Sequence, residues 1–167
     1  MRQSRHRRPS RQLGAVVIEF AFVFVIFLGV LYGIFSYALV MMLQQGLVQA
    51  AAEGARATHR VDPLNFSPIN NSYQTAANIL ASQAAKASLD WLPTTALARI
   101  TVTTTWTKVT TTVSSGSGTD YPISTNRATV VVTYPDYATA PLLPILELPG
   151  LGSIPQTPKD LIGQAIS

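Results

Sequence analysis

The 167-residue chain is 47% apolar and only 12% charged, whereas an ordinary globular domain is about 25% charged, so its composition points to a membrane segment. The formal charge of +4 does not indicate a nucleic-acid partner, because Arg2, Arg5, Arg7, Arg8 and Arg11 all precede the apolar run and the seven remaining basic residues meet eight acidic ones. With no cysteine, a disulfide framework, a thiolate nucleophile and a sulfur metal site are excluded.

Residues 1–14 read as a basic leader, followed by a membrane helix over 15–43. From Phe20 to Leu43 no residue is charged, and Tyr32, Ser36 and Tyr37 carry the only hydroxyls. At about 1.5 Å per residue such a helix reaches about 36 Å, enough to cross a hydrocarbon core of about 30 Å with some tilt. A secretory signal has an apolar region of about 7 to 15 residues, so this run is too long for one despite the superficial cleavage pattern Ala50-Ala51-Ala52. Arginines before the run, with no charge between Phe20 and Glu53, predict a cytoplasmic N-terminus and an exported C-terminal part.

The apolar run opens as Gly14-Ala15-Val16-Val17-Ile18-Glu19-Phe20. A charge inside hydrocarbon costs about 2.5 to 3.5 kcal/mol, so Glu19 calls for a partner. It either snorkels to the headgroups or pairs with Arg8 or Arg11 of its own chain, or it meets the amine that cleavage after Gly14 would free on Ala15 of a neighbouring subunit. Residues 15 and 19 share one helix face.

The segment Arg11-Gln12-Leu13-Gly14-Ala15-Val16-Val17-Ile18-Glu19-Phe20-Ala21 resembles the prepilin-like start of TadE-family proteins, the minor pseudopilins of the tight-adherence (Flp-type) pilus system. A second segment, Glu53-Gly54-Ala55-Arg56 within Ala50–Ala57, resembles the family's small-residue motif just beyond the membrane. The resemblance covers about residues 11 to 60. It implies a prepilin peptidase cutting between Gly14 and Ala15, Glu19 as the assembly carboxylate, and other pilin-like subunits as partners in the bacterial cytoplasmic membrane. Family members often carry a proline about six residues after that glutamate, where this chain has Val25, so no kink is expected there. Larger TadG-like relatives are uncleaved anchors, which leaves processing open.

Gly29 and Gly33 form Gly-x-x-x-Gly within the span, either a site of close helix packing or ordinary membrane-helix composition. A stem helix continues over 44–61 with Gly46, Ala50, Gly54 and Ala57 on a narrow face. Glu53 and Arg56 can pair at i, i+3, a weak exposed contact unless a partner engages it. Asp62-Pro63 ends the helix.

A small α+β exported domain is predicted over 62–134: a loop rich in proline and asparagine, then a helix from Tyr73 to Leu92 capped by Ser72 and stopped by Pro93. Tyr73, Ala76, Ala77, Leu80, Ala84, Ala87 and Trp91 form its expected buried face. A strand follows over Ala98–Val113, with a bulge suggested at Val109, then a turn over Ser114–Asp120 and a second strand over Arg127–Tyr134. The fold class is therefore a single-pass membrane protein, a long helix carrying a two- to three-stranded antiparallel sheet. Residues 135–167 form a proline-rich C-terminal segment, in which 135–158, with prolines at 135, 141, 144, 149, 155 and 158, read as an extended strap without sustained regular structure.

Catalysis finds little support. His6 lies in the leader and His59 at the stem end, the carboxylates are scattered singly, and no phosphate loop or nucleophile motif is present. No cofactor, metal or nucleic acid is expected. Two functions remain: a pilus-assembly pseudopilin, or an uncleaved membrane-anchored binding protein or adhesin.

Overall fold

The computed structural model describes residues 12–66, 72–114, 120–148, 152–155 and 158–167. The leader arginines and residues 115–119 of the turn predicted over Ser114–Asp120 lie outside these residues, whereas Ser114 and Asp120 themselves pair as strand residues.

Helix α1, Gln12–Thr58, is one unbroken helix of 47 residues, and Val25 leaves its hydrogen-bond ladder uninterrupted where a proline would have removed a donor. Every residue from Gly14 to Leu31 is exposed. Beyond that point a stripe is buried at spacings of three or four, Ser36, Val40, Leu43, Leu47, Ala50, Gly54 and Thr58, widened near the helix end by Ala51, Ala55 and Ala57. Such a stripe marks packing through one helix face. The N-terminal part stands clear of the chain and is long and apolar enough to cross a membrane, giving the architecture of a single-pass membrane protein. The helix closes in tightened turns, His59 N–H donating to Arg56 C=O and Arg60 N–H to Ala57 C=O, while the Thr58 hydroxyl donates to Ala55 C=O at 2.7 Å.

The C-terminal domain has two layers. Helix α2, Ser72–Ala87, packs beside the outer part of α1, and both lie on one face of a three-stranded antiparallel sheet. The sheet order is β1 (Thr101–Ser114), β2 (Asp120–Tyr134), β5 (Leu161–Ile166). A four-residue helix α3, Thr94–Leu97, leads into β1, and a separate hairpin pairs β3 (Leu146–Leu148) with β4 (Gly152–Ile154). Between the layers lie Leu43, Leu47, Leu89, Val130, Val132 and Tyr134, all nearly fully buried, each burial contributing about 1.5 to 3 kcal/mol.

Helix α2 is shorter than predicted and turned. It ends at Ala87, and Ser88–Leu92 continues as separate turns that carry Leu89 and Leu92 into the core. Of the expected face Ala77 is buried, joined by Ala81 and Ala85 rather than by Leu80 or, past the helix end, Trp91, which are both partly exposed. The reason lies in the partner: α1 offers small residues there, and two helix backbones approach most closely through alanine and glycine, so a leucine at the seam would hold them apart.

The β1–β2 ribbon runs from Thr101↔Thr133 to Ser114↔Asp120 without interruption. Val109 pairs directly with Thr125, so the bulge suggested there is absent. Past Trp106 the strand extends beyond the helix layer, where burial no longer selects an alternating pattern. Strand β2 begins seven residues earlier than predicted, because Asp120–Asn126 is zipped to β1. Pro122 is tolerated there because β5 reaches only Thr129–Tyr134, leaving the other edge of β2 open. Just past the last proline of the C-terminal segment, Leu161–Ile166 forms the third strand.

Candidate functional site

Gly14 and Ala15 lie in the first described turn of α1, both exposed, and a side chain at Gly14 would meet nothing within 4 Å. Glu19 follows one turn later on the same exposed stretch, and among the described residues it makes no ion pair. Arg8 and Arg11, its possible partners within the chain, lie outside the described residues. Phe20 and Phe24 stack at 5.8 Å between ring centroids, also on the free surface. Gly29 has open space around it, whereas Gly33 is half-buried.

The segment Glu53-Gly54-Ala55-Arg56 sits at the opposite end, where α1, α2 and β2 meet. A Cβ on Gly54 would lie 3.1 Å from the Ala81 carbonyl oxygen, 3.1 Å from Val130 Cγ1 and 3.4 Å from Ala85 Cβ. Ala55 is buried beside it. Glu53 and Arg56 point outward and form an ion pair at 2.8 Å, with the arginine largely exposed. Solvent competes for such a pair, so Glu53→Ala is expected to change the unfolding free energy by less than about 0.5 kcal/mol in a denaturant titration. A loss above about 1.5 kcal/mol would show that the carboxylate itself holds the fold.

Residues 14–56 match the family model described as TadE-like protein. Over that segment the chain is similar to TadE-like proteins. The match begins at Gly14 and ends at Arg56, taking in the first motif from Gly14 onward, the second motif and the helix between them, and it supports a role associated with the Tad/Flp pilus. No curated protein and no solved structure matches the chain.

The TadE-like helix also carries contacts that its sequence does not advertise. Gly163 in β5 lies so close to α1 that a Cβ there would fall 2.2 Å from the Leu47 carbonyl carbon and oxygen and 2.4 Å from Val48 N. The Gln44 side-chain amide donates to the neighbouring Ile162 carbonyl at 2.7 Å, and the Trp91 ring covers Gly46. A lone glycine inside a strand pattern signals close backbone approach, and that signal at Gly163 was present in Leu161-Ile162-Gly163-Gln164-Ala165-Ile166.

Where the TadE-like helix ends, Thr58, His59, Val61, Tyr73, Trp106 and Ser167 surround an open depression. Trp106 Nε1–H donates to Asn78 Oδ1 at 2.8 Å and its ring meets Tyr73 edge-on, so the indole is fixed by packing. Among the described residues of that lining, His59 is accompanied by hydroxyls but by no Asp or Glu side chain. Among the described residues no group of three or more His, Asp or Glu side chains is placed to hold a metal. Burial pushes the Tyr137 phenol up from its ordinary pKa, against the Leu142 N–H donated to it. That keeps it a neutral packing group beside Tyr134, whose hydroxyl donates to Ala140 C=O at 2.7 Å.

Proposed function

We propose that this chain is a minor pseudopilin of the tight-adherence pilus system, held in the bacterial cytoplasmic membrane with its N-terminus in the cytoplasm and its C-terminal domain exported. The observation that carries this reading is the start of the TadE-like match at Gly14, with Glu19 one helical turn past the scissile position and exposed on an uncovered apolar helix. A prepilin peptidase releases the leader between Gly14 and Ala15. The new Ala15 amine of one subunit then meets Glu19 of its neighbour, so that two charges costly in hydrocarbon neutralise each other. The role is mechanical: the span packs laterally among pilin-like helices, and the domain contacts pilus-assembly subunits.

The test is the N-terminal residue of the membrane-bound protein, read by mass spectrometry in cells with and without the peptidase. Ala15 as the first residue only when the peptidase is present supports the pseudopilin. An intact leader in both strains replaces that reading with an uncleaved anchored binding protein or adhesin. Glu19→Ala should leave membrane insertion unchanged, since removing a charge favours the span, but should reduce co-purification with pilin-like subunits severalfold. Undiminished co-purification would remove Glu19 from assembly.

A further inference from the structure

The β3–β4 hairpin does not lie over the sheet; it lies against the membrane helix. Leu146 closes a groove whose other walls are Leu28, Gly29, Leu31, Tyr32 and Phe35 of α1, and the Tyr32 hydroxyl donates to the Pro144 carbonyl. Helix length decides where this groove sits. A core of about 30 Å takes about 20 helical residues. Between Glu19 and the first fully buried residue, Ser36, lie only 16 residues, enough for about 24 Å. A span starting after Glu19 therefore extends past Ser36, and the groove, from Leu28 to Phe35, runs from the middle of the span into its outer half. Shifting the span as far as Gly14 still brings Leu28 to Tyr32 inside the hydrocarbon. Both limiting placements set the hairpin at acyl-chain depth.

From this we infer that the β3–β4 hairpin is inserted into the bilayer leaflet on the domain side and that lipid acyl chains fill the groove between Leu146 and the membrane helix. The inference rests on the membrane span and is independent of cleavage. Its chemistry suits the place. Backbone N–H groups without partners are costly in hydrocarbon, and Pro141 and Pro144 have no N–H to satisfy. The Pro144 carbonyl is satisfied by Tyr32, an aromatic residue whose apolar ring and polar tip suit the interface. The ladder Leu146↔Ile154, Glu147↔Ser153, Leu148↔Gly152 satisfies part of the remainder. Glu147 alternates to the strand face opposite Leu146 and is exposed. Its charge limits the depth of insertion, holding the hairpin within snorkelling distance of the headgroups.

The chain has no cysteine, so single nitroxide labels report one site each. Leu146→Cys probes the hairpin and Leu143→Cys the segment leading into it (together the hairpin sites), Ile26→Cys the exposed mid-span surface, and Thr111→Cys the far end of the ribbon. The full chain is reconstituted in phosphatidylcholine–phosphatidylglycerol vesicles, and collision with oxygen is compared with collision with a water-soluble nickel chelate. Expected are oxygen-rich, nickel-poor signals at Leu146, Leu143 and Ile26, with nickel access severalfold lower than at Thr111. Nickel access at both hairpin sites equal to that at Thr111, with Ile26 still lipid-like, overturns the insertion alone. The same result with Ile26 also in water overturns the membrane span with it. Hairpin sites shielded from both reagents would mean a protein neighbour, such as a second copy, occupies the groove, and would overturn the lipid assignment.

Discussion

Replacing Gly163 with valine is expected to detach the C-terminal strand and to lower the stability of the domain by more than about 3 kcal/mol. The obstacle is backbone, not side chain: the first carbon added at Gly163 falls 2.2 Å from the carbonyl carbon and oxygen of Leu47 and 2.4 Å from Val48 N. A rotamer change cannot relieve such an overlap, so β5 must move away from α1. It then gives up the Gln44 bond to Ile162, the buried Leu161 side chain and the Ser167 N–H bond to Ala128 C=O together. Thermal unfolding in detergent should show Tm falling by more than about 10 °C, and limited proteolysis should cut first near residues 155–160. Gly29→Ala is the comparison, since its new methyl meets nothing within 4 Å. If Gly163→Val melts with the parent protein and keeps its protease pattern, β5 does not pack on the helix as described.

What the sequence made legible follows from where single residues outweigh context. Helix α1 was readable because an uncharged run from Phe20 to Leu43 has few alternatives, and the small residues of its stem foretold close packing at Ala50 and Gly54. The face of α2 was misjudged because Leu80 and Trp91 are the larger apolar residues, yet the partner surface selects small ones and buries Ala77, Ala81 and Ala85. The reading of a strap stops at Pro158, and the six proline-free residues of strand β5, just beyond it, are too short a run to announce a strand alone. The hairpin against Tyr32 could not be found from spacing at all, since it joins residues more than a hundred positions apart.

The same distinction between side chain and backbone separates the residues of the motif beyond the membrane, and its glycine carries the second large effect. Gly54 lies between two partners of unequal give: Val130 Cγ1 is a methyl that shifts by tenths of an ångström, while the Ala81 oxygen belongs to the α2 backbone. Gly54→Ala recovers about 1 kcal/mol of helix propensity and loses a comparable amount to these two tight contacts, so its net effect on stability should lie near zero. Gly54→Leu has no such balance. Its branched side chain must enter the seam occupied by Ala81, Ala85 and Val130, forcing α2 from α1 at a cost of about 3 kcal/mol or more. Denaturant titration of the two variants beside Glu53→Ala discriminates two origins of the motif. A large loss confined to Gly54→Leu assigns it to helix packing, placing the domain on the end of the TadE-like helix. Equal, small losses in all three would instead leave the motif without a structural role and direct attention to a partner subunit reading Glu53 and Arg56 from outside.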